Sequence, residues 1–350
     1  MIAFTAVSAR SIRCRFAGMG EQGEAESRSR EGSTAAMVES VRPADFAAYW
    51  AAVDDELARY PAAPEIEELP RHSTDFGTVY ALKLTSIGPY RIFGYYCVPR
   101  GEGPFPGLLY TPRYGSVNHV PSYEDRERYA VLQIMHRGQR LADQPFAAAY
   151  PGLLTHNIDD PGRYVYRGIV ADCVRGLEFL LSRPEVDRQR IGVVGDDLAL
   201  LVAARRPAVT ALQASNLLLY RLLEAAERTD EYPVEEINDY LRAYPERREA
   251  VARTLAYFDP LHHAPDIRAT TLLCVGDPGA LGGPEWLAPL RAALGGPVEE
   301  YRLTHEGGAD RDWLDVWLAR RLGAEPRPLM WEIGGEGQRG RAFRHDLQHT

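Results

Sequence analysis

Apolar residues recur along this chain with two periods, which divide it into helices and strands. After Pro43, ADFAAYWAAVDDELARY places apolar residues at helical spacing and predicts a helix. Two alternating runs, TVYALKLTSI and YRIFGYYCVP, flank Gly88 and Pro89 and predict an antiparallel hairpin. The short apolar runs PGLLYTP and YAVLQIM predict strands that are buried on both faces of a sheet.

The second half of the chain alternates strand-like and helix-like segments. Residues 163–183 carry the clearest helical pattern. The runs RIGVVG, VTALQA, TTLLCVG and VEEYRLT predict further strands, each followed by a helical segment. Residues 217–258 are helical in pattern, broken at Pro233 and Pro245, and indicate a helical insertion. This alternation predicts an α/β fold with a mostly parallel, doubly wound sheet.

The periodic patterns also suggest where the domain begins and ends. Residues 1–38 are rich in Gly, Ser, Glu and Arg without periodicity, so we expect a disordered extension, with Met37 as an alternative start. Residues 39–323 are expected to form one α/β domain. Residues 324–350 are expected to be a loosely ordered tail.

Charge and composition restrict the partners. The net charge of -9 argues against a nucleic-acid-binding protein and fits poorly with attachment to anionic lipid. No apolar run approaches the roughly 20 residues needed to span a bilayer, so no membrane contact is expected. The four cysteines are widely spaced and form no C-x-x-C pair, which favours reduced thiols in a cytoplasmic protein. No cofactor motif or metal-ligand pattern is present in the sequence, so none is expected to bind.

One predicted strand end carries the pattern of a nucleophile elbow. RIGVVG is followed by Gly195-Asp196-Asp197-Leu198-Ala199 and then by a helix. Such an elbow needs small residues two positions before and two after the nucleophile, and Gly195 and Ala199 meet this demand around Asp197. The alternative is that Asp196 or Asp197 only caps the helix, since aspartate is a good N-cap.

Three other predicted strands are followed by candidate catalytic residues. His305 follows VEEYRLT, where it could act as a general base. Asp277 follows TTLLCVG and could orient a histidine, although Asp-Pro-Gly is also strong turn chemistry. Tyr114 follows PGLLYTP, where its hydroxyl could donate to an oxyanion or simply pack. The order of candidate nucleophile, acid and histidine is that of α/β-hydrolases.

From about Pro43 to Leu322 the chain resembles the acetyl xylan esterase and cephalosporin-C deacetylase family of carbohydrate esterases. HRGQR contains the family's R-G-Q, THEG contains its H-E at His305, and TPRYG places Tyr114 at its oxyanion-hole tyrosine. The resemblance implies an α/β-hydrolase fold with a helical insertion, a small-molecule substrate and a homo-oligomer. It also implies that Tyr114 and Leu198 contact the oxyanion or substrate, and that Arg137 and Gln139 have structural roles near the site.

The chain departs from the family at two positions that matter for catalysis. The family's elbow has the form G-x-S-Q-G, so Asp197 occupies the serine position. The family's acid falls about four residues after the V-G of a core strand, which here is Gly279. Asp277 lies two residues earlier. Glu306 is therefore an alternative acid partner of His305, and His305 could also have no acid partner.

An aspartate at the elbow changes the chemistry that the site can perform. Attack of a carboxylate on an ester would give a mixed anhydride, which the expelled alkoxide readily reverses. At an electrophilic saturated carbon a carboxylate performs better, and His305 could then activate the water that hydrolyses the intermediate. The sequence thus predicts a divergent hydrolase acting through Asp197, His305 and Asp277 on a small-molecule ester or electrophilic carbon. The alternatives are residual esterase activity by histidine-activated water, or a degenerate, non-hydrolytic relative that binds ligands, serves biosynthetic tailoring or forms oligomers.

Overall fold

The computed structural model describes residues 40–115 and 119–329. The predicted N-terminal extension and most of the predicted C-terminal tail lie outside the described residues. Within the described part, nine strands form one sheet in the order β1-β2-β3-β5-β4-β6-β7-β8-β9. The strands are β1 (Glu65–Glu68), β2 (Gly77–Thr85), β3 (Arg91–Pro99), β4 (Phe105–Tyr110), β5 (Ala130–Met135), β6 (Val186–Gly195), β7 (Ala211–Ala214), β8 (Thr270–Val275) and β9 (Val298–Arg302).

Helices connect most of these strands. They are α1 (Phe46–Arg59), α2 (Tyr123–Arg128), α3 (Val165–Ser182), α4 (Asp197–Arg205), α5 (Leu222–Ala226), α6 (Glu235–Ala243), α7 (Arg248–Leu255), α8 (Pro260–His263), α9 (Pro284–Ala293) and α10 (Gly307–Leu322). Two short 3-10 helices lie at Pro245–Arg247 and Ala264–Asp266. No helix among the described residues has both the length and the apolar character that a bilayer crossing requires.

The strand pairing confirms the predicted hairpin and the mostly parallel sheet. Strands β2 and β3 pair antiparallel, with Gly77 opposite Pro99 and Thr85 opposite Arg91. Strands β1 and β5 also pair antiparallel with their neighbours β2 and β3. From β5 across to β9 every pairing is parallel. An antiparallel start is therefore joined to a parallel sheet whose carboxyl ends lie along one edge.

Apolar side chains cover both faces of this sheet, as the short apolar runs predict. In β4, Leu109 packs in the core cluster with α1, α3 and α4, whereas Leu108 packs on the opposite face with α10. The same alternation separates Leu132 from Val131 in β5. Because successive side chains of a strand point to opposite faces, a strand between two helical layers needs apolar residues at every position.

The direction of the connections reverses in the middle of the sheet. Strand β4 leads to β5 on one side, whereas β6 leads to β7 on the other, and β4 and β6 are neighbours. The loops after β4 and β6 therefore diverge and leave a crevice at the carboxyl ends of these strands. Ligands of open α/β sheets bind at such a reversal point. The loop after β4 carries Tyr114, and the turn after β6 carries Asp197.

Candidate active site

The turn between β6 and α4 is tight, as expected for an elbow. A Cβ at Gly195 would collide with the hydroxyl of Thr111, so glycine is required there. Asp196 is the N-cap of α4, and its Oδ1 accepts a hydrogen bond from the backbone N–H of Leu198 at 3.0 Å. This contact is the helix cap that the aspartate pattern predicts as an alternative to a nucleophile.

Asp197 is buried, and its carboxylate is directed at the loop after β7. Its Oδ2 accepts from the N–H of Leu218 at 2.5 Å, and its Oδ1 accepts from the N–H of Tyr220 at 3.0 Å. Both oxygens therefore bind backbone groups of one loop. The turn also lacks the strained backbone of a nucleophile elbow, since Asp197 belongs to α4 and does not have a positive φ.

Burial makes both elbow carboxylates harder to ionise. It raises the pKa of Asp197, and the negative charge of Asp196 raises it further. Burial also raises the pKa of Asp196, although the N–H of Leu198 and the charge of Arg113 oppose this effect. A carboxyl group that holds its proton is a poor nucleophile, so the environment weakens the chemistry that an aspartate elbow would need.

The structure places His305 on the surface rather than in a catalytic pocket. Its side chain is 63% exposed, and its Nε2 lies 3.6 Å from Oδ2 of Asp277, which is 61% exposed. That distance is too long for a hydrogen bond. Asp277 also pairs with Arg302 at 3.3 Å. Exposed ion pairs of this kind contribute little, so they do not fix the orientation of the imidazole.

The hydroxyl of Tyr114 is engaged by a buried glutamate of the helical segment 217–258. It donates a short hydrogen bond to Oε1 of Glu236 in α6. The other oxygen of Glu236 accepts from the N–H groups of Gly152, at 2.8 Å, and Leu154, at 3.3 Å. Burial, and then the bond to Glu236, raise the pKa of Tyr114. This hydroxyl is therefore not directed at an oxyanion.

The R-G-Q motif supports the loop that carries Tyr114. The guanidinium of Arg137 pairs with the fully buried Asp172 at 2.7 Å. Gln139 donates from Nε2 to the carbonyl oxygens of Arg113, at 3.2 Å, and Gly115, at 2.7 Å. Gln139 therefore holds the backbone after β4, whereas Arg137 ties the motif to α3. The roles of Arg137 and Gln139 near the site stay predictions, and the contacts agree with them.

A small cleft opens at the reversal point between β4 and β6. The open space within it is about the size of one water molecule. Its walls are formed by Pro112, Arg113, Tyr114, His136, Tyr166, Asp196, Asp197, Leu198, Leu218 and Leu219. The structure thus brings Tyr114, Asp197 and Leu198 together in one cleft. It does not bring His305 or Asp277 to this cleft.

Two polar residues of the cleft, His136 and Tyr166, are absent from the sequence predictions. His136 is 2% exposed and Tyr166 is 5% exposed. His136 directly follows β5 and precedes the R-G-Q motif, which is a signal that could have identified it. Tyr166 lies in the first turn of α3, where its aromatic ring is part of an ordinary apolar pattern.

No metal centre is evident at the site. Among residues 40–115 and 119–329 no group of three or more His, Cys, Asp or Glu side chains is arranged to hold a metal ion. The acids and histidines of the cleft contact backbone groups instead, as Asp196 and Asp197 do.

Comparison with solved structures identifies the fold. The chain superposes on an acetyl xylan esterase from Paenibacillus sp. R4 with a TM-score of 0.70 and 26% identity, covering 80% of this chain and 95% of that one. It superposes on acetyl xylan esterase 1 from Thermoanaerobacterium sp. JW/SL YS485 with a TM-score of 0.70 and 23% identity, covering 81% and 95%. These likenesses confirm the α/β-hydrolase fold.

Comparison of sequences identifies the family. The chain is 27% identical over 241 residues to the acetyl esterase Axe7A of Xylanibacter ruminicola, which covers 63% of this chain and 53% of that protein. The chain therefore spans about half the length of this curated relative. The model of the acetyl xylan esterase (AXE1) family matches residues 34–284, more than half of the 350 residues. The protein therefore belongs to the acetyl xylan esterase family.

Proposed function

We propose that this family member does not hydrolyse esters through its elbow, and that it binds a small molecule in the cleft between β4 and β6. One observation carries this proposal: both elbow carboxylates are used to hold backbone N–H groups. Asp197 binds Leu218 and Tyr220, and Asp196 binds Leu198. This corresponds to the non-hydrolytic alternative that the sequence leaves open.

The occupied N–H of Leu198 bears on the oxyanion hole. In enzymes of this fold the residue after the nucleophile supplies one of the oxyanion donors from its backbone. Here that donor already binds Oδ1 of Asp196 at 3.0 Å. A negatively charged oxygen would have to displace a carboxylate to reach it, which removes much of the electrostatic stabilisation that acyl transfer requires.

The position of His305 supports the same proposal. Ester hydrolysis by a triad needs a histidine within hydrogen-bond reach of the nucleophile and held there by an acid. His305 does not line the cleft, and its Nε2, the nitrogen that a triad directs at the nucleophile, faces Asp277 instead. Asp197, His305 and the N–H of Leu198 therefore do not form the arrangement that ester hydrolysis requires.

The cleft itself supports ligand binding. It lies at the reversal point of the sheet, where ligands of open α/β folds bind. Its walls combine apolar residues with a few polar groups, which is the usual composition of a small-molecule site. We therefore propose that the cleft binds a small molecule without converting it.

The proposal is tested by measuring aryl acetate hydrolysis by the wild type, by Asp197→Ser and by the double variant Asp196→Ala/Asp197→Ser. We expect all three to match the buffer rate, because His305, the candidate general base, lies outside the cleft and cannot activate a new serine. Asp75→Asn, at an exposed aspartate, is the matched control. Thermal unfolding of each protein checks that it is folded.

Two results would overturn the proposal. The first is wild-type hydrolysis above the buffer rate that scales with protein concentration and is lost in Asp197→Asn. The second is wild-type conversion of an aryl epoxide to its diol, again lost in Asp197→Asn. The latter would establish Asp197 as a nucleophile at saturated carbon, the alternative that its cleft-lining position favours.

A further inference from the structure

The cleft between β4 and β6 is smaller than the ligand proposed for it. Its open space is about the size of one water molecule, whereas even a small organic molecule contains several heavy atoms. One wall therefore has to move before such a molecule can enter. Side chains of a close-packed core have neighbours on all sides, so a buried wall cannot give way alone. The buried walls are Pro112, His136, Tyr166, Asp197, Leu198 and Leu219.

The walls nearer the surface differ in how they are held. They are Arg113, Tyr114, Asp196 and Leu218. Asp196 is fixed as the N-cap of α4, and the N–H of Leu218 is bound by the buried carboxylate of Asp197. Arg113 and Tyr114 lie on the loop after β4, where Arg113 is exposed and Tyr114 is half-buried. Tyr114 is therefore the wall whose side chain can leave a defined closed position.

The closed position of Tyr114 is set by the helical segment 217–258. The tyrosine hydroxyl donates to Oε1 of Glu236 in α6. The other carboxylate oxygen of Glu236 accepts from the backbone N–H groups of Gly152 and Leu154. Because these two bonds do not involve Tyr114, Glu236 keeps its place when the tyrosine leaves. The bond between Tyr114 and Glu236 can therefore break and form again without rebuilding the segment.

We infer that Tyr114 is the gate of the cleft and that Glu236 is the positioning residue that holds this gate closed. In the open position the tyrosine hydroxyl leaves Glu236 and bonds to water, and the space that its ring vacates joins the cleft. The ring of Tyr232 packs on Tyr114 at 5.9 Å between centroids and is 55% exposed, so the outward side of the gate is close to solvent. This inference rests on the proposed function, because it describes how a ligand enters the same cleft.

The test measures how fast diethyl pyrocarbonate, a small neutral reagent, modifies His136 in the full chain at neutral pH. Burial lowers the pKa of His136 to about 4, so the unprotonated ring that the reagent attacks is present. The tryptic peptide 129–137 contains no other histidine, so mass spectrometry reports this site directly. The exposed His305 should react fastest, and wild-type His136 much more slowly. The buried pair His262 and His263 in α8 reports opening of the whole domain.

Variants remove the contact that holds the gate. Tyr114→Phe loses the bond to Glu236 and should accelerate modification of His136 about threefold to tenfold, the effect of one hydrogen bond. Glu236→Ala should accelerate it at least as much, and if this variant is unfolded Tyr114→Phe decides alone. Tyr96→Phe is the matched control, because it removes a tyrosine–glutamate bond to Glu185, just before β6 and so at the end of that strand remote from the cleft. It should leave the His136 rate unchanged.

The inference is overturned if wild-type His136 reacts as fast as His305, or if its rate is unchanged in a folded Tyr114→Phe. It is also overturned if His136 and the pair His262 and His263 accelerate equally, or if Tyr96→Phe has the same effect, since both would indicate general destabilisation. The hydrolysis assay reports separately. Ester turnover with gated modification of His136 would defeat the proposed function alone, whereas hydrolytic silence with an ungated His136 would defeat this inference alone.

Discussion

At the scale of single residues, Asp196 and Asp197 are adjacent carboxylates with different tasks. Asp196 caps α4 through Leu198, and Asp197 holds the loop after β7 through Leu218 and Tyr220. The sequence places both at a strand end, because the small residues around them are visible. The sequence does not show whether Asp197 is a structural hydrogen-bond acceptor or a nucleophile. The N–H groups that bind it belong to Leu218 and Tyr220, in a loop without a sequence signature.

Replacing Asp196 by asparagine should make stability less sensitive to rising pH. The folded pKa of Asp197 lies above its unfolded value, so its favourable contribution is complete below the unfolded pKa and is lost as pH rises through the folded pKa. Asparagine keeps the cap but removes the neighbouring charge, which lowers the pKa of Asp197. It also removes the carboxyl of Asp196, whose own raised pKa acts in the same direction. The unfolding free energy of the variant minus that of wild type should therefore increase from about pH 4 to neutrality.

Urea unfolding at several pH values measures this difference. A gain of about 1 kcal/mol across the range corresponds to somewhat less than one pKa unit. Asp75→Asn, at an exposed aspartate, provides the control for loss of a surface charge. A difference between Asp196→Asn and wild type that stays constant with pH would contradict the raised pKa values of both carboxyl groups.

At the scale of secondary structure, Glu236 joins three segments of the molecule. It lies in α6 and accepts from Tyr114 after β4 and from the backbone of Gly152 and Leu154. Glu236→Ala leaves three donors without their acceptor, so it should lower the unfolding free energy by about 2–4 kcal/mol. Tyr114→Phe removes only one of these bonds and should cost about 1 kcal/mol. Equal losses in the two variants, measured by urea unfolding, would show that the backbone contacts of Glu236 contribute nothing.

The elements that the sequence predicts are those with an apolar period. The hairpin β2–β3 and the helix α3 are examples, because burial on a fixed face imposes the pattern. Strand β1 was not predicted, since all four of its residues are exposed. Helix α2 was also missed, because it is short and polar and is defined mainly by the cap that Ser122 provides to Asp125.

The same reasoning explains which site residues the sequence could predict. Tyr114 and Asp197 follow buried strands of the parallel sheet, so strand topology alone brings them together. The exposure of His305 depends on the conformation of a loop, which the pattern of the preceding strand does not determine. The sequence does not predict His136, because a single histidine beside a motif has no period of its own.

At the scale of the whole molecule, the fold provides the cleft, and the side chains that line the cleft determine its chemistry. The reversal of connections between β4 and β6 creates the cleft whatever side chains line it. Family membership therefore establishes the scaffold, and the function must be argued from the site. In this chain Asp197, at the turn after β6, binds backbone N–H groups of the loop after β7.

Both helical layers depend on the central strand β4, which predicts how the domain unfolds. Leu108 and Leu109 are fully buried on opposite faces of β4, so alanine at either position should cost about 2–5 kcal/mol. If the two layers form one cooperative unit, both variants lower the midpoint of the same calorimetric transition. Leu281→Ala, at an exposed leucine, should change stability by less than about 0.5 kcal/mol. Separate transitions, each sensitive to only one of the two leucines, would mean that the layers fold independently and that the sheet does not couple them.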